Sequence, residues 1–460
     1  MRWEQPVQYA SLSDIGFRRQ NNQDSFAIRI CTQPEQWRAH GHLFMVADGM
    51  GGHAVGELAS KIAADTIPHH FFKTREPDVT ISLREAIEAA NNTIYERGSH
   101  NRDFERMGTT CTTLALTPVG AVIGHVGDSR LYRIRNDRID QLTFDHSLQW
   151  ELIRQGKMRA EDVFLHEPRH VITRSLGPEP KVQVDIEGPY PTLPGDIYVL
   201  CSDGLISHVA DAEIGTIAKE LAPADACRLL VNLANLRGGS DNITVVVLKV
   251  GKSPDGADEL IEDLPAPGGG VNWWWLLAVW MVVLTFVGGV SLSLFGYFLQ
   301  GVAAAAIAAF AAVGLFAYWL EKRPRAQLGA DDSEAAETRV WRPYRTASAK
   351  FNRRFLSHLA AIESELQRAA TDEGWTIDWS VHEAAYRKAK DSLDKHEYTR
   401  AFADFGKVID ILMIGLHQFR KQASREAKWG RPAAPPTGTT PPPTTPMPTP
   451  APGPAAKTKP

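Results

Sequence analysis

The chain has 460 residues and a formal net charge of −4, from 50 basic and 54 acidic side chains. That length allows about three domains, and the near balance of charge offers no basic field of the kind that holds nucleic acid. Four scattered cysteines, Cys31, Cys111, Cys201 and Cys227, form no CxxC pair and read as small buried hydrophobes in a reducing compartment rather than a disulfide or zinc frame.

Residues 1–5 open no apolar run that could act as a signal peptide, so the first domain is expected in the cytoplasm. Over residues 1–250, short apolar runs alternate with Gly/Asp turns and helical stretches. The run 44–47 predicts a strand ending on Asp48 and Gly49, with a helix-like run over 54–72 behind it. A second strand, 199–202, ends on Asp203 and Gly204. Asp241 sits in a glycine-rich turn, and a strand over 243–250 follows at once.

Residues 251–270 are rich in Gly, Pro, Asp and Glu and read as a linker. Next come 27 residues without formal charge, 273–299, and 20 more, 301–320. A span needs about 20 apolar residues, so 271–320 is expected to form a two-helix transmembrane hairpin with a tight turn near Gln300 and Gly301. The basic residues Lys322, Arg323, Arg325, Arg339, Arg342 and Arg345 put the exit on the cytoplasmic side. Both flanking parts should then face the cytoplasm, on a multi-pass protein of the cell inner membrane. Apolar residues at three- and four-residue steps, Phe351, Phe355, Leu359, Ile362 and Leu366, then Phe402, Phe405, Ile409, Leu412, Leu416 and Phe419, predict a helical region over 349–428, read as a small bundle or coiled pairing. Ser380 with Glu383 suggests a capping box within it. Residues 430–460 form a Pro/Thr-rich tail that cannot bury enough surface to fold.

The chemistry lies in the first 250 residues. Asp48, Asp203 and Asp241 each stand at a strand end wrapped in glycine, and each alone would pass for a turn former. Together they offer the hard oxygen ligands that Mg²⁺ and Mn²⁺ take, with Asp48 as the natural bridge between two ions and the Gly49 carbonyl beside it. Arg19 presents a rigid fork suited to phosphate oxygens, five residues ahead of Asp24. It reads equally well as a surface cation paired with Asp24.

Eight ordered blocks carry a resemblance. They are Ser13-Asp14-Ile15-Gly16 with Arg19, Asn22, Gln23 and Asp24; residues 46–53 around Asp48; Gly56-Glu57 with Ala59-Ser60; Met107-Gly108-Thr109-Thr110; residues 124–130 around Asp128; residues 172–177; Leu200-Cys201-Ser202-Asp203-Gly204-Leu205; and residues 239–244 around Asp241. Over residues 8–250 the chain resembles the bacterial branch of the PPM, or PP2C-like, metal-dependent protein serine/threonine phosphatases. The resemblance implies an α+β fold, a four-layer α-β-β-α sandwich with a Mn²⁺/Mg²⁺ centre of two ions and a weaker third at one edge.

It implies Asp48, Asp203 and Asp241 as ligands of one ion, and Asp48 with the Gly49 carbonyl for the other. It makes Asp24 a supporting acid, Arg19 the phosphate binder, and Asp128 the acid of the weaker third site; Ser129 and Arg130 are structural. Residues 146–173 would be the flap where substrate is selected. Gln23 replaces the glutamate of many members and keeps only hydrogen bonding. Met50 stands where eukaryotic relatives carry a histidine, with His53 a less suited general acid. Ser207 replaces an aspartate of some relatives, which weakens a third ion. The implied substrates are phosphoserine and phosphothreonine proteins, and the implied partner a Hanks-type serine/threonine kinase whose action it opposes. An inactive phosphoprotein-binding or scaffolding module is the alternative, against which the intact acids and Arg19 argue.

Overall fold

The computed structural model describes residues 7–51, 53–100, 104, 107–155, 157, 171–251, 273–322 and 343–429. The chain opens with β1 (Val7–Asp14), β2 (Asp24–Arg29), α1 (Pro34–His40) and β3 (His42–Met50), then the helical pair α2 (His53–Lys73) and α3 (Val79–Ser99). β4 (Gly108–Thr109), β5 (Cys111–Thr117), β6 (Gly120–Val126), β7 (Arg130–Arg135) and β8 (Arg138–Gln141) follow, then α4 (Leu148–Arg154), β9 (Asp185–Tyr190) and β10 (Ile197–Cys201). The one-turn α5 (Asp203–Ile206), α6 (Asp211–Glu220), α7 (Pro223–Leu236) and β11 (Ile243–Val250) complete the first part. Beyond it lie α8 (Trp273–Leu294), α9 (Phe298–Lys322), β12 (Arg345–Ser348), α10 (Arg353–Glu373), α11 (Trp379–Asp394) and α12 (Tyr398–Trp429).

Two sheets stack face to face, one in the order β1-β11-β10-β7-β8-β12 and the other β2-β3-β5-β6-β9. Strand alternation explains the layers. In β3, Phe44 and Val46 point between the sheets, while Leu43, Met45 and Ala47 point toward α2 and α3. In β11, Val246 and Leu248 meet them, while Val245 and Val247 face α6 and α7. Both faces of these strands are therefore buried, which is why they read as unbroken apolar runs. The result is the expected α-β-β-α sandwich.

The region after residue 343 is not a separate bundle. β12 adds to the edge of β8, with Thr346 Oγ1 donating to the buried Asp140 carboxylate at 2.9 Å. α10 and α12 continue the core of α7: Leu356, Leu359, Phe402, Phe405, Ile409 and Leu412 share one buried cluster with Leu229, Leu230 and Leu233. A polar seam closes the contact where Asn232 Nδ2 donates to Asp410 Oδ1 at 3.0 Å. The cap of α11 also falls earlier than the Ser380 box, since Asp378 accepts from the backbone N–H groups of Ser380 and Val381.

The transmembrane hairpin expected over 271–320 requires correction. α8 and α9 form and pack on one another, with their turn at residues 295–297, but among the described residues no helix is long and apolar enough to cross a membrane. The expectation rested on the absence of formal charge over 273–299 and 301–320. The multi-pass inner-membrane placement, the membrane as partner and the cytoplasmic orientation argued from the hairpin lose their basis with it. The hairpin's described outer face does carry exposed Trp280, Met281, Leu284 and Leu299. The linker from residue 252 onward and the tail at 430–460 lie outside the described residues.

Candidate active site

The register of β2 against β3 sets Asp24 opposite Asp48. From the facing sheet, β10 delivers Asp203 at the start of α5, and the turn ahead of β11 carries Asp241. A short polar chain ties the two sheets here: Ser202 Oγ donates to Asp24 Oδ2 at 2.7 Å and accepts from the Thr244 backbone N at 2.9 Å. Asn242 knots the loops, with Nδ2 donating to the carbonyls of Ile15 and Asn21 and Oδ1 accepting from the Gln23 backbone N.

Asp48 is fixed through its main chain, its N–H donating to Thr110 Oγ1 at 2.9 Å and its carbonyl accepting from Thr110 N at 2.8 Å. Gly49 presses directly on α2. A Cβ there would lie 2.1 Å from the Gly56 carbonyl oxygen and 2.6 Å from that of Gln23, so only glycine allows the contact. The Gln23 amide lies against Gly56 as well.

Arg19 settles the ambiguity left by its spacing: Nη2 donates to Asp241 Oδ2 at 2.7 Å, so its partner is Asp241 and not Asp24. Its side chain stays about half exposed at the rim. Arg130 turns away from the carboxylates, holding Asp145 through both Nε and Nη2 and reaching Tyr132 at 3.0 Å. That buried network explains its structural role.

Three of the acids, Asp24, Asp48 and Asp128, are raised. Burial pushes Asp48 well above the carboxylate range, and the charges of Asp24, Asp203, Asp128 and Asp241 add to the push. Burial likewise moves Asp24 up to about 7, against the hydroxyl bonds of Thr244 and Ser202 and with the charges of Asp203 and Asp241. Asp128 rises by burial and by the charges of Asp203 and Asp145. So five carboxylates share one patch of field, with the charge of Arg19 reaching Asp241, Asp48 and Asp203 and that of Arg130 reaching Asp128. Oδ1 of Asp24 and Oδ1 of Asp128 are buried with no hydrogen-bond partner.

A cation suits this donor set. The unpartnered oxygens and the mutual repulsion are what a hard divalent ion relieves, and all the side-chain donors are carboxylates. Even so, among the described residues no three His, Cys, Asp or Glu side chains are drawn into a metal-holding group.

Ser202, Thr110 and Asn242 carry the site although their positions in the motifs do not announce it; only their placement beside an acid hints at a role. His208, which bonds Ser240 Oγ at 2.9 Å next to Asp241, has no sequence signal at all. Ser207 closes α5 through its N–H to the Asp203 carbonyl. The flap's ends are anchored, His146 N to Gly127 O at 2.7 Å and Thr173 N to His146 O at 2.8 Å. Residues 156 and 158–170 of it, and the side chain of His53, lie outside the described residues. The four cysteines are free and buried, with the Cys201 thiol pushed up by burial.

The geometry is thus a double-sheet sandwich flanked by helices, with clustered aspartates at one edge and an arginine at the rim. Comparison with known proteins makes this specific. The family profile described as Protein phosphatase 2C matches residues 18–223. The chain is 35% identical over 240 residues to a putative protein phosphatase 2C-type of Streptococcus pyogenes, covering 94% of that protein and 51% of this chain. It is 34% identical over 249 residues to the protein phosphatase PhpP of Streptococcus pneumoniae, covering 98% of it and 53% of this chain. A solved serine/threonine phosphatase, PstP/Ppp of Mycobacterium tuberculosis, is 33% identical, with 99% of it and 53% of this chain covered and a TM-score of 0.48. The chain belongs to the PPM (PP2C-like) family of bacterial serine/threonine phosphatases and is an enzyme of that family; membership implies a metal-dependent mechanism.

Proposed function

We propose that the chain hydrolyses phosphoserine and phosphothreonine in proteins through a binuclear Mn²⁺/Mg²⁺ centre with a weaker third site, opposing a bacterial serine/threonine kinase. The catalytic unit in this reading is residues 1–250. The observation that carries it is the convergence of Asp24, Asp48, Asp128, Asp203 and Asp241, each in the field of others, with Arg19 reaching the same patch. The names of the relatives, a protein phosphatase and a serine/threonine phosphatase, support the substrate class.

In this reading Asp48, Asp203 and Asp241 hold one ion, Asp48 and the Gly49 carbonyl the other, and Asp128 the weaker third. When bound, the ions supply Lewis acidity and lower the pKa of water toward neutrality. The protein's own residues do the rest. Arg19 leaves Asp241 and takes the phosphoryl oxygens, where its fork opposes charge that grows as the ester bond breaks. Asp24, held by Ser202, keeps the wall beside Asp48 polar and fixed. No protein nucleophile is required, and Cys201, buried on a strand facing α-helices, is sheltered from substrate.

The deciding experiment is turnover of a phosphothreonine peptide by purified Asp203→Asn with added Mn²⁺. We expect a loss of at least about 100-fold, because a charged ligand is removed from the ion. Wild-type turnover would sink the assignment.

A further inference from the structure

Phe17 lies two residues before Arg19, and its main chain rests on the loop that carries Asp241. The N–H groups of Phe17 and Arg18 both donate to the Gly239 carbonyl, at 2.8 and 3.1 Å. Gly16, at φ 78°, passes so close that a Cβ would lie 2.1 Å from the Asp241 carbonyl oxygen. The inner side of this loop is therefore fixed by the catalytic unit itself. Its outer side is held by another part of the chain, 400 residues away.

Arg420, near the end of α12, donates from Nη2 to the Phe17 carbonyl at 3.0 Å, and its guanidinium carbon stands 4.1 Å from the centre of the Phe17 ring. His417, one helical turn earlier, packs its ring edge-on to Phe17 with centroids 5.2 Å apart. Phe17 is thus clasped between the Gly239–Asp241 turn and α12. Since α12 is seated on α7 by Phe405, Ile409 and Leu412, the clasp is attached to a rigid base rather than to a loose arm.

We propose that Arg420, aided by His417, is a positioning residue for the phosphate-binding arginine: α12 sets the seat of the Arg19 loop and so tunes how well Arg19 receives the phosphoryl group. The inference rests on the proposed role of Arg19. A hydrogen bond to a main-chain carbonyl and a cation over an aromatic face both restrain the backbone without entering the reaction. Small misplacement of a substrate-clamping group weakens binding and catalysis strongly. This makes the helical region after residue 343 part of how the active site is shaped, in a segment beyond residues 18–223, which the family profile matches.

The test uses the full chain with Mn²⁺ and a phosphothreonine peptide, and compares Arg19→Ala, Arg420→Ala, Arg420→Lys and the Arg19→Ala/Arg420→Ala double variant. Arg420→Ala is expected to raise KM about fivefold with kcat within about twofold, while Arg420→Lys, which keeps a donor and a cation, recovers most of the loss. In the Arg19→Ala background, removing Arg420 should add nothing further, because it acts through Arg19. Inhibition by inorganic phosphate should weaken in step with KM. An unchanged KM for Arg420→Ala beside a raised KM for Arg19→Ala overturns the positioning role alone. So does full additivity in the double variant, or a fall in melting temperature with KM unmoved. Unchanged kinetics in Arg19→Ala would instead overturn the role of Arg19. Should Arg420→Ala not fold, His417→Ala gives the same comparison, with a KM rise of about twofold expected.

Discussion

At Asp128 the cost of assembling carboxylates can be separated from their use. Its Oδ1 is buried and unpartnered, and both burial and the charges of Asp203 and Asp145 disfavour its ionised form. Without metal, the site stores repulsion that an amide in place of the acid would relieve. In EDTA at pH 8, Asp128→Asn should therefore melt higher than the wild type, by about 2–4 °C for a gain of roughly 1 kcal/mol. With saturating Mn²⁺ the wild type should gain more than the variant, because binding to the folded form adds stability in proportion to affinity. Differential scanning calorimetry in the two buffers measures both. A lower melting point for Asp128→Asn in EDTA would mean that the acid has a structural partner rather than a role toward a cation.

The helices after residue 343 make a claim at the scale of elements. Leu412 is fully buried between α12 and the sheet-covering helix α7, so Leu412→Ala should cost about 2–5 kcal/mol through lost burial and the cavity left behind. Because the cluster is shared, that cost should appear in a single unfolding transition that also ends phosphatase activity; two transitions, with only the second tied to activity, would show that the helical region folds apart. The sequence disclosed the periodicity of these helices but not where they dock, since an apolar stripe says that a face is covered and not by what. β12 left no trace because Arg345–Ser348 is only four residues long and Ala347 is its one apolar side chain, too little to show an apolar alternation. Asp48 and Asp203 were legible because each closes an apolar run and is followed by glycine, and Asp241 because a glycine turn carries it just ahead of one. Their supporting hydroxyls were not, because Ser202 and Thr110 act through three-dimensional neighbours. The span expected over 271–320 rested on absence of charge, and among the described residues no helix is long and apolar enough to cross a membrane.

For the whole molecule, acid stability is set by histidines sealed in the sandwich. Burial lowers His125 from the ordinary 6.5 to about 3, and the nearby His146 ring, tilted against it with centroids 4.9 Å apart, adds to that shift. Its Nδ1 lies 3.0 Å from Thr112 Oγ1 and its Nε2 2.8 Å from the Phe144 carbonyl. Burial also brings His42 down to about 4. A histidine with a depressed folded pKa gives up nothing above 6.5, where both states are neutral. Below 6.5 the unfolded chain takes up the proton and the folded one does not, so stability falls with pH until the folded pKa is reached. The clustered aspartates bias the metal-free protein in the opposite sense, so the histidine contribution is best read as a difference. Between pH 6.5 and about 3, the gap in unfolding free energy between wild type and His125→Gln should shift against the wild type by about 1.4 kcal/mol per pH unit. Above pH 7 the gap should be flat. Urea melts of both proteins across pH 4.5–8 in EDTA give the two curves, and a gap independent of pH would mean that the folded protein protonates His125 as readily as the unfolded chain does.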